Sequence, residues 1–267
     1  MNRQGFIGGS DLYNIMQGNW HDLWLVKTGR KQPEDLSHIF RVQLGSFTEQ
    51  FNIDWFCQDT GHTIEQTQVE VQSVISGVPF KGTIDAIAHS DEGKQTILEC
   101  KHTGSMKSLT DMLDAYMPQI QLYMTLSHID KAYLSVIFGN DIGYCSVDYS
   151  ESWFKPVIKR CQKFWQCVTT DTEPSHDIDT WKIDWSSVAI NNLKARDAST
   201  DNHFVDLAFR YVHSKDVAKE HEDIKKELRS IIRDDEREVY CNLNKDGRVS
   251  VRRDKRGACR IVVNKEA

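Results

Sequence analysis

The stretch GTIDAIAHSDEGKQTILECKH, Gly82 to His102, carries two acids and a lysine whose spacing brings them together. Residues 83–88 and 95–101 have the β-branched and aliphatic content of strands, and HSDEGK between them has the Asp, Ser and Gly of a turn. The segment therefore predicts a β-hairpin with a slightly long loop. On its second strand Glu99 and Lys101 are two apart and share a face, while Cys100 points to the other. Asp85, Glu99 and Lys101 then meet in a small space, an arrangement that is costly unless it serves chemistry.

The chemistry such a set suits is phosphodiester hydrolysis. Carboxylate oxygens hold Mg²⁺, which keeps several waters and is bound through a few acids plus substrate phosphate. One or two such ions polarise the phosphate and lower the pKa of a bound water. A lysine beside them can orient or deprotonate that water, its own pKa lowered by the cations. The bland alternative is a surface hairpin with a same-face ion pair worth at most about 1 kcal/mol. Two further features weigh against it. Glu49 sits four residues after Gly45 on a predicted long helix, off the face of Phe47 and Phe51, and one more acid beside the sheet would complete a metal site. In YMPQIQLYM, Gln119 and Tyr123 lie one helical turn apart, and an inward glutamine can hold the water or the lysine.

These residues need a scaffold, and the chain predicts one. FIGGSDLYNIM, residues 6–16, reads as a Gly-rich turn capped by Ser10 and entering a short helix. HDLWLVKTG, residues 21–29, repeats the pattern and stops at Gly29. From Leu36 to Thr60 apolar residues recur at near-helical spacing, with Gly61 ending the helix; Gly45 inside it implies a close approach by another group. Strands near 67–75, 79–88 and up to Lys101 precede a helix over about 108–128, strands at 131–139 and 142–149, and a helix over 152–168. This order predicts an α/β (α+β) domain with a central mixed sheet flanked by helices. The polar stretch 169–180 marks a boundary, giving a core at 1–175 and an appendage at 176–267 of one long or two shorter charged helices and a three-stranded β-meander, with turns at 244–247 and 254–257.

The whole chain has 267 residues, 39% hydrophobic and 27% charged, which is ordinary for a globular protein and leaves room for one large domain plus an appendage. No window approaches a membrane span and no apolar leader opens the sequence, so the expectation is a cytoplasmic protein. Seven scattered cysteines without a C-x-x-C pair predict reduced thiols rather than disulfides or a zinc site. The net charge of −6 argues weakly against a nucleic-acid partner, since acids that hold metal are counted as free charge. The stretch 245–260 is strongly basic against this background. Arg248 and Arg252 would share one strand face toward phosphate; a solvated hairpin, or docking to a neighbouring subunit or annealing partner, are the alternatives.

Taken in order, GGSD, LWLVKTG, LGSFTEQF, GTIDAI, LECK and PQIQLY resemble the phage exonuclease family related to lambda exonuclease and to the YqaJ-like viral recombinases, within the PD-(D/E)xK nuclease superfamily. The resemblance covers roughly residues 3–168 and implies a restriction-endonuclease-like core. It also implies a 5′→3′ exonuclease that degrades one strand of linear duplex DNA and leaves 3′ single-stranded tails for phage-type recombination. The cofactor implied is Mg²⁺, one or two ions per site, with Mn²⁺ as a substitute. By resemblance Asp85, Glu99 and the Cys100 carbonyl bind metal, Lys101 is the catalytic lysine, Glu49 is the helical acid, and Gln119 belongs to the Q-x-x-x-Y element. Arg3, seven residues before Ser10, matches an arginine and serine near a 5′-phosphate pocket. The proline usual before the metal-binding aspartate is absent, Ile84 standing there. The resemblance further implies double-stranded DNA ends as substrate, a ring-like homo-oligomer (a trimer), a single-strand annealing partner, and a phage or prophage protein in a bacterial host. The alternatives are a RecB-like or other nuclease of the superfamily, and a catalytically silent DNA-binding assembly protein. Iron–sulfur versions are disfavoured because the late cysteines, Cys241 and Cys259, are too few.

Overall fold

One strand, β3 (Val78–His89), organises the sheet on which the candidate residues stand. In the computed structural model, residues 4–90, 92–181, 187–194, 198–233, 236–243, 248–253 and 258–264 are described. The chain forms two compact units, Met1–Arg196 and Asp197–Ala267. The first begins with β1 (Ile7–Gly8), α1 (Asp11–Gln17), α2 (Trp20–Lys27), α3 (Phe40–Thr60) and β2 (Thr63–Ile75). After β3 come β4 (Gln95–Thr103), α4 (Leu109–Ser127), β5 (Lys131–Phe138), β6 (Asp141–Asp148) and α5 (Glu151–Thr169), then the short strands β7 (Ala189–Ile190) and β8 (Leu193–Lys194).

The sheet runs β1-β3-β4-β5-β6-β7-β8, with β2 also paired to β3. Pairings β1/β3 and β4/β5 are parallel, and β2/β3, β3/β4 and β5/β6 are antiparallel. The sheet is therefore mixed and flanked by helices, as the element order predicts. The expected hairpin is present: Ser90 N–H reaches the Lys94 carbonyl at 3.0 Å, and Gly93 takes a left-handed φ of 72° in the turn.

Helices α1, α2, α4 and α5 bury Leu12, Ile15, Trp20, Trp24, Met117, Ile120, Phe154 and Phe164 in one core with Ile97, Leu134, Val136 and Val147 of the sheet. Helix α4 starts at a reciprocal capping box: Ser108 Oγ accepts from Asp111 N–H at 3.2 Å, and Asp111 Oδ2 accepts from Ser108 N–H at 2.8 Å. Helix α3 serves a second, smaller core, where Ile53 and Phe56 meet Ala86, Leu98 and Cys100. Its apolar periodicity overstates its burial, because Phe40, Phe47, Phe51 and Trp55 are exposed. The expected close approach at Gly45 does not occur: a side chain there would meet open space.

The boundary expected at 175 moves to 196/197. Residues beyond 175 pack on the first unit, with Val188 buried, Trp181 edge-on to Trp153 at 5.2 Å, and Ile190 paired to Val147. The second unit consists of α6 (Asn202–Ile231), one helix of 30 residues capped by Asp201, and a sheet of order β11-β10-β9 formed by β9 (Glu238–Asn242), β10 (Arg248–Arg253) and β11 (Cys259–Asn264). The expected meander is thus present, and its turns at 244–247 and 254–257 lie outside the described residues. All seven cysteines are free thiols. Among the described residues no helix is long and apolar enough to cross a membrane.

Candidate active site

The site forms where the sheet comes apart. Strand β2 takes one edge of β3 along its length, while β4 takes the other edge only from Ala86 to His89 and β1 only at Phe80 and Lys81. Among the described residues, the edge from Gly82 to Asp85 has no strand beside it. At the mouth of this gap the Asp85 side chain replaces a backbone rung: its Oδ2 accepts from Cys100 N–H at 2.8 Å.

Glu99 and Lys101 follow on β4 as the alternation predicts. Lys101 Nζ lies 2.6 Å from Glu99 Oε1, 3.4 Å from Asp85 Oδ2 and 2.9 Å from the Cys100 carbonyl, to which it donates. Tyr116 of α4 places its ring 5.2 Å from the ammonium. Glu99 is fully buried. Burial, with Asp85 and Glu49 adding repulsion, pushes its carboxyl up to about 8 against the pull of the Lys101 ammonium. Burial also opposes the charge on Lys101, but Glu99 and Asp85 outweigh it and hold its pKa above the ordinary lysine value. That direction is opposite to the lowering expected from neighbouring cations, because the neighbours here are carboxylates.

These atoms fit a hard cation. Three oxygens, from Asp85, Glu99 and the Cys100 carbonyl, already converge on one positive charge. Glu99 Oε2 is buried and makes no hydrogen bond, a costly state for a carboxylate oxygen unless something binds it. An all-oxygen donor set suits Mg²⁺ or Mn²⁺ rather than softer metals.

Helix α4 supplies the next residue. Gln119 donates from Nε2 to Glu99 Oε1 at 2.5 Å, so the glutamine holds the buried carboxylate rather than the lysine. The second half of Q-x-x-x-Y has a different task. A side chain at Gly9 or Gly82 would run into the Tyr123 ring, so this ring fills the gap between β1 and β4 and ties the GGSD and GTID segments together. A second link is a fully buried ion pair between Lys27 Nζ and Asp11 Oδ2 at 2.5 Å, with Gly8 N–H on the same oxygen at 2.7 Å. It joins the aspartate of GGSD to the lysine of LWLVKTG.

Helix α3 brings Glu49 to the site. Glu49 is half-buried, and burial followed by repulsion from Asp85 raises its pKa. Two residues not marked by the sequence reading hold it there. Asn52, one turn on, is buried and donates at 3.2 Å to the carbonyls of Lys101 and Ser135, while its own oxygen accepts from Ser135 at 2.6 Å. Gln68 of β2 donates to Glu49 Oε1 at 2.5 Å and has a left-handed φ of 52°. A buried asparagine at (i, i+3) to an acid is a signal the sequence offered; the backbone of Gln68 is not.

Ser10 stands at the N-cap of α1, although its side chain does not make the capping bond. It lines a cavity of about 380 Å³ together with Tyr13, His102, Lys107, Tyr116 and Gln119, which connects it to the candidate centre. Arg3 lies outside the described residues. Arg248 and Arg252 share a face of β10, as expected, but both turn to Glu238, at 3.4 and 2.8 Å, and the Arg248 guanidinium stacks on Tyr240 at 3.7 Å. They belong to the second unit and are engaged within it.

An open mixed sheet carries Asp on one hairpin strand and Glu-x-Lys on the next, the arrangement expected of a PD-(D/E)xK-type core. Residues 1–130 match the model of the YqaJ-like viral recombinase domain. No curated protein matches the chain. Among solved structures, the alkaline exonuclease LHK-Exo from Laribacter hongkongensis is 13% identical, with a TM-score of 0.48, over 63% of this chain and 90% of that one. A phage-related exonuclease from Haemophilus somnus is 13% identical, with a TM-score of 0.48, over 62% of this chain and 96% of that one. The protein described as SSO0001 is 19% identical, with a TM-score of 0.46, over 62% and 77%.

Proposed function

We propose that this protein is a metal-dependent deoxyribonuclease, an exonuclease that digests one strand of linear duplex DNA from its 5′ end and leaves a 3′ single-stranded tail for phage-type recombination. The observation that carries the reading is the convergence of Asp85, Glu99 and Lys101 around a buried, unpartnered carboxylate oxygen. Asp85, Glu99, the Cys100 carbonyl and Glu49 would hold Mg²⁺. Bound there, the ion supplies charge neutralisation on the phosphate and a water of lowered pKa.

The chain's own residues do the rest. Gln119 fixes the orientation of Glu99. Lys101 holds a proton at Nζ and, with substrate present, orients the attacking water. Gln68 and Asn52 set the distance of Glu49 from Asp85 by anchoring helix α3. The cavity of Ser10 and Lys107, open to Gln119, is of a size to receive a terminal nucleotide with its 5′-phosphate. The 5′ polarity follows from the family resemblance, and Arg3 is the proposed further phosphate ligand. A ring-like oligomer and a single-strand annealing partner follow from the family resemblance and are part of the same proposal, as is action inside a bacterial host cell.

The deciding experiment is digestion of linear duplexes labelled at either end, with and without a 5′-phosphate, in Mg²⁺ or EDTA. The proposal expects Mg²⁺-dependent loss of the 5′ label first, faster on phosphorylated ends. Loss from the 3′ end first would overturn the polarity, and no digestion of any duplex in Mg²⁺ or Mn²⁺ would overturn the enzyme.

A further inference from the structure

A second set of metal-binding side chains lies away from the carboxylates of β3 and β4. His21, on the first turn of α2, and Glu173 and His176, in the segment after α5, bring one donor atom each to within 4.8 Å of one another. His21 Nε2 is 3.1 Å from Glu173 Oε1, and His176 Nε2 is 3.5 Å from the same oxygen. The two imidazole rings sit 5.0 Å apart at a 40° tilt. Donors about 2.0–2.1 Å from a tetrahedral zinc stand about 3.3–3.4 Å from each other. The two measured separations bracket that value.

The backbone that carries these donors is anchored on both sides. Arg30 grips Asp171 with both arms of its guanidinium, at 2.7 and 2.8 Å, and lies over the Trp24 ring at 4.5 Å. Thr172 N–H reaches the Cys167 carbonyl at 2.9 Å, which fixes the residue before Glu173. After His176, Thr180 and Trp181 are tied to the carbonyls of Gln17 and Met16 at 3.2 and 2.8 Å. Asp22, beside His21, is taken by Lys31 at 3.0 Å and does not compete for the imidazole. The cluster borders a cavity of about 930 Å³ lined in part by Asn14, His21, Lys31 and His176, which leaves room for a water or an anion at a fourth position.

We infer that His21, Glu173 and His176 form a binding site for Zn²⁺ that clips helix α2 to the segment following α5. Imidazole and carboxylate donors select zinc over Mg²⁺, so the two metals would load separate sites. The inference stands apart from the nuclease reading, since it uses none of the same residues.

The test is zinc titration by calorimetry of the full chain in excess Mg²⁺. The background is Asp85→Asn with Glu99→Gln, which removes the oxygen site as an alternative. The expected result is one Zn²⁺ per chain, with affinity reduced at least about tenfold by His21→Gln, Glu173→Gln or His176→Gln. Co²⁺ should give visible bands of tetrahedral strength that the same three variants lose. The melting temperature should rise with zinc concentration in the background protein and stay level in the His21→Gln form. These glutamine variants keep side-chain bulk, and unchanged circular dichroism without metal separates lost binding from lost folding. Zinc uptake that survives all three substitutions, or no uptake at micromolar zinc, would overturn the site.

Discussion

Gln68 holds Glu49 across the site by a 2.5 Å hydrogen bond, and it does so from a backbone with φ of 52°. A non-glycine residue in that region costs about 1–2 kcal/mol, so the strand keeps strain where the side chain is used. The effects of substitution should therefore split. Gln68→Ala is expected to raise the Mg²⁺ concentration for half-maximal cleavage several-fold while leaving the unfolding midpoint nearly unchanged. Gln68→Gly should show the same loss of metal response yet be more stable than Gln68→Ala by about 1 kcal/mol in urea unfolding. Equal metal response in all three proteins would remove Gln68 from the site.

Glu99 predicts how stability depends on pH without metal. Its folded value, about 8, lies above the ordinary 4.5 because burial penalises the charge. The unfolded chain thus gives up this proton at lower pH than the folded one. The stability associated with Glu99 is fully present below about 4.5 and is lost as pH rises through about 8. Melting curves in EDTA between these limits should fall with pH. Glu99→Gln should flatten the fall and abolish cleavage, and Mg²⁺ should protect only the wild type. A Glu99→Gln protein with the wild-type slope would show that another group sets it.

Lys101 should matter to the chemical step more than to binding. Lys101→Met keeps the bulk against Tyr116 but removes the ammonium from between Glu99 and Asp85. Single-turnover cleavage is expected to fall by about 100-fold or more, with DNA affinity changed less than about tenfold. Affinity that falls as far as the rate would make Lys101 a phosphate anchor instead.

The Asp11–Lys27 pair is a structural lock rather than a reactive one. Both side chains are sealed from solvent, so removing one partner strands a buried charge. Asp11→Ala or Lys27→Ala should cost about 3–5 kcal/mol in urea unfolding, and Asp11→Leu with Lys27→Met should recover a large part of it. Additive losses in the double variant would argue that the two residues act independently.

How much of this could be read from residues alone follows from the range of each interaction. The hairpin of Asp85, Glu99 and Lys101 is local, so strand alternation and a turn were enough to bring its charges together. Gln119 and Glu49 were legible as candidates because helical spacing sets them apart from their apolar neighbours. What each one touches depends on how helix and sheet pack, and Gln119 proves to hold Glu99. Phe47 and Phe51 followed helical periodicity but stay exposed, since periodicity gives a face and not its partner. Gln68 was invisible because a left-handed residue opposite Asp85 arises from the distortion of β2. The division falls at 196/197 rather than 175 because polarity alone does not make a linker: the Thr180 hydroxyl and the Trp181 N–H donate to the carbonyls of Gln17 and Met16.

The rung between Asp85 and Cys100 ties two kinds of event together. Most sheet amides are held by another backbone, whose acceptor does not change; the Cys100 amide is held by a carboxylate that can be recruited elsewhere. Whatever draws on Asp85 therefore loosens or tightens the backbone of β4 at its midpoint. Cys100 pairs in register with Ser135 of β5, and Ser135 grips Asn52 of α3, so that disturbance has a material path to the helix bearing Glu49. The carboxylate acts as a movable tooth in the sheet, and the distant wall of the site is geared to it.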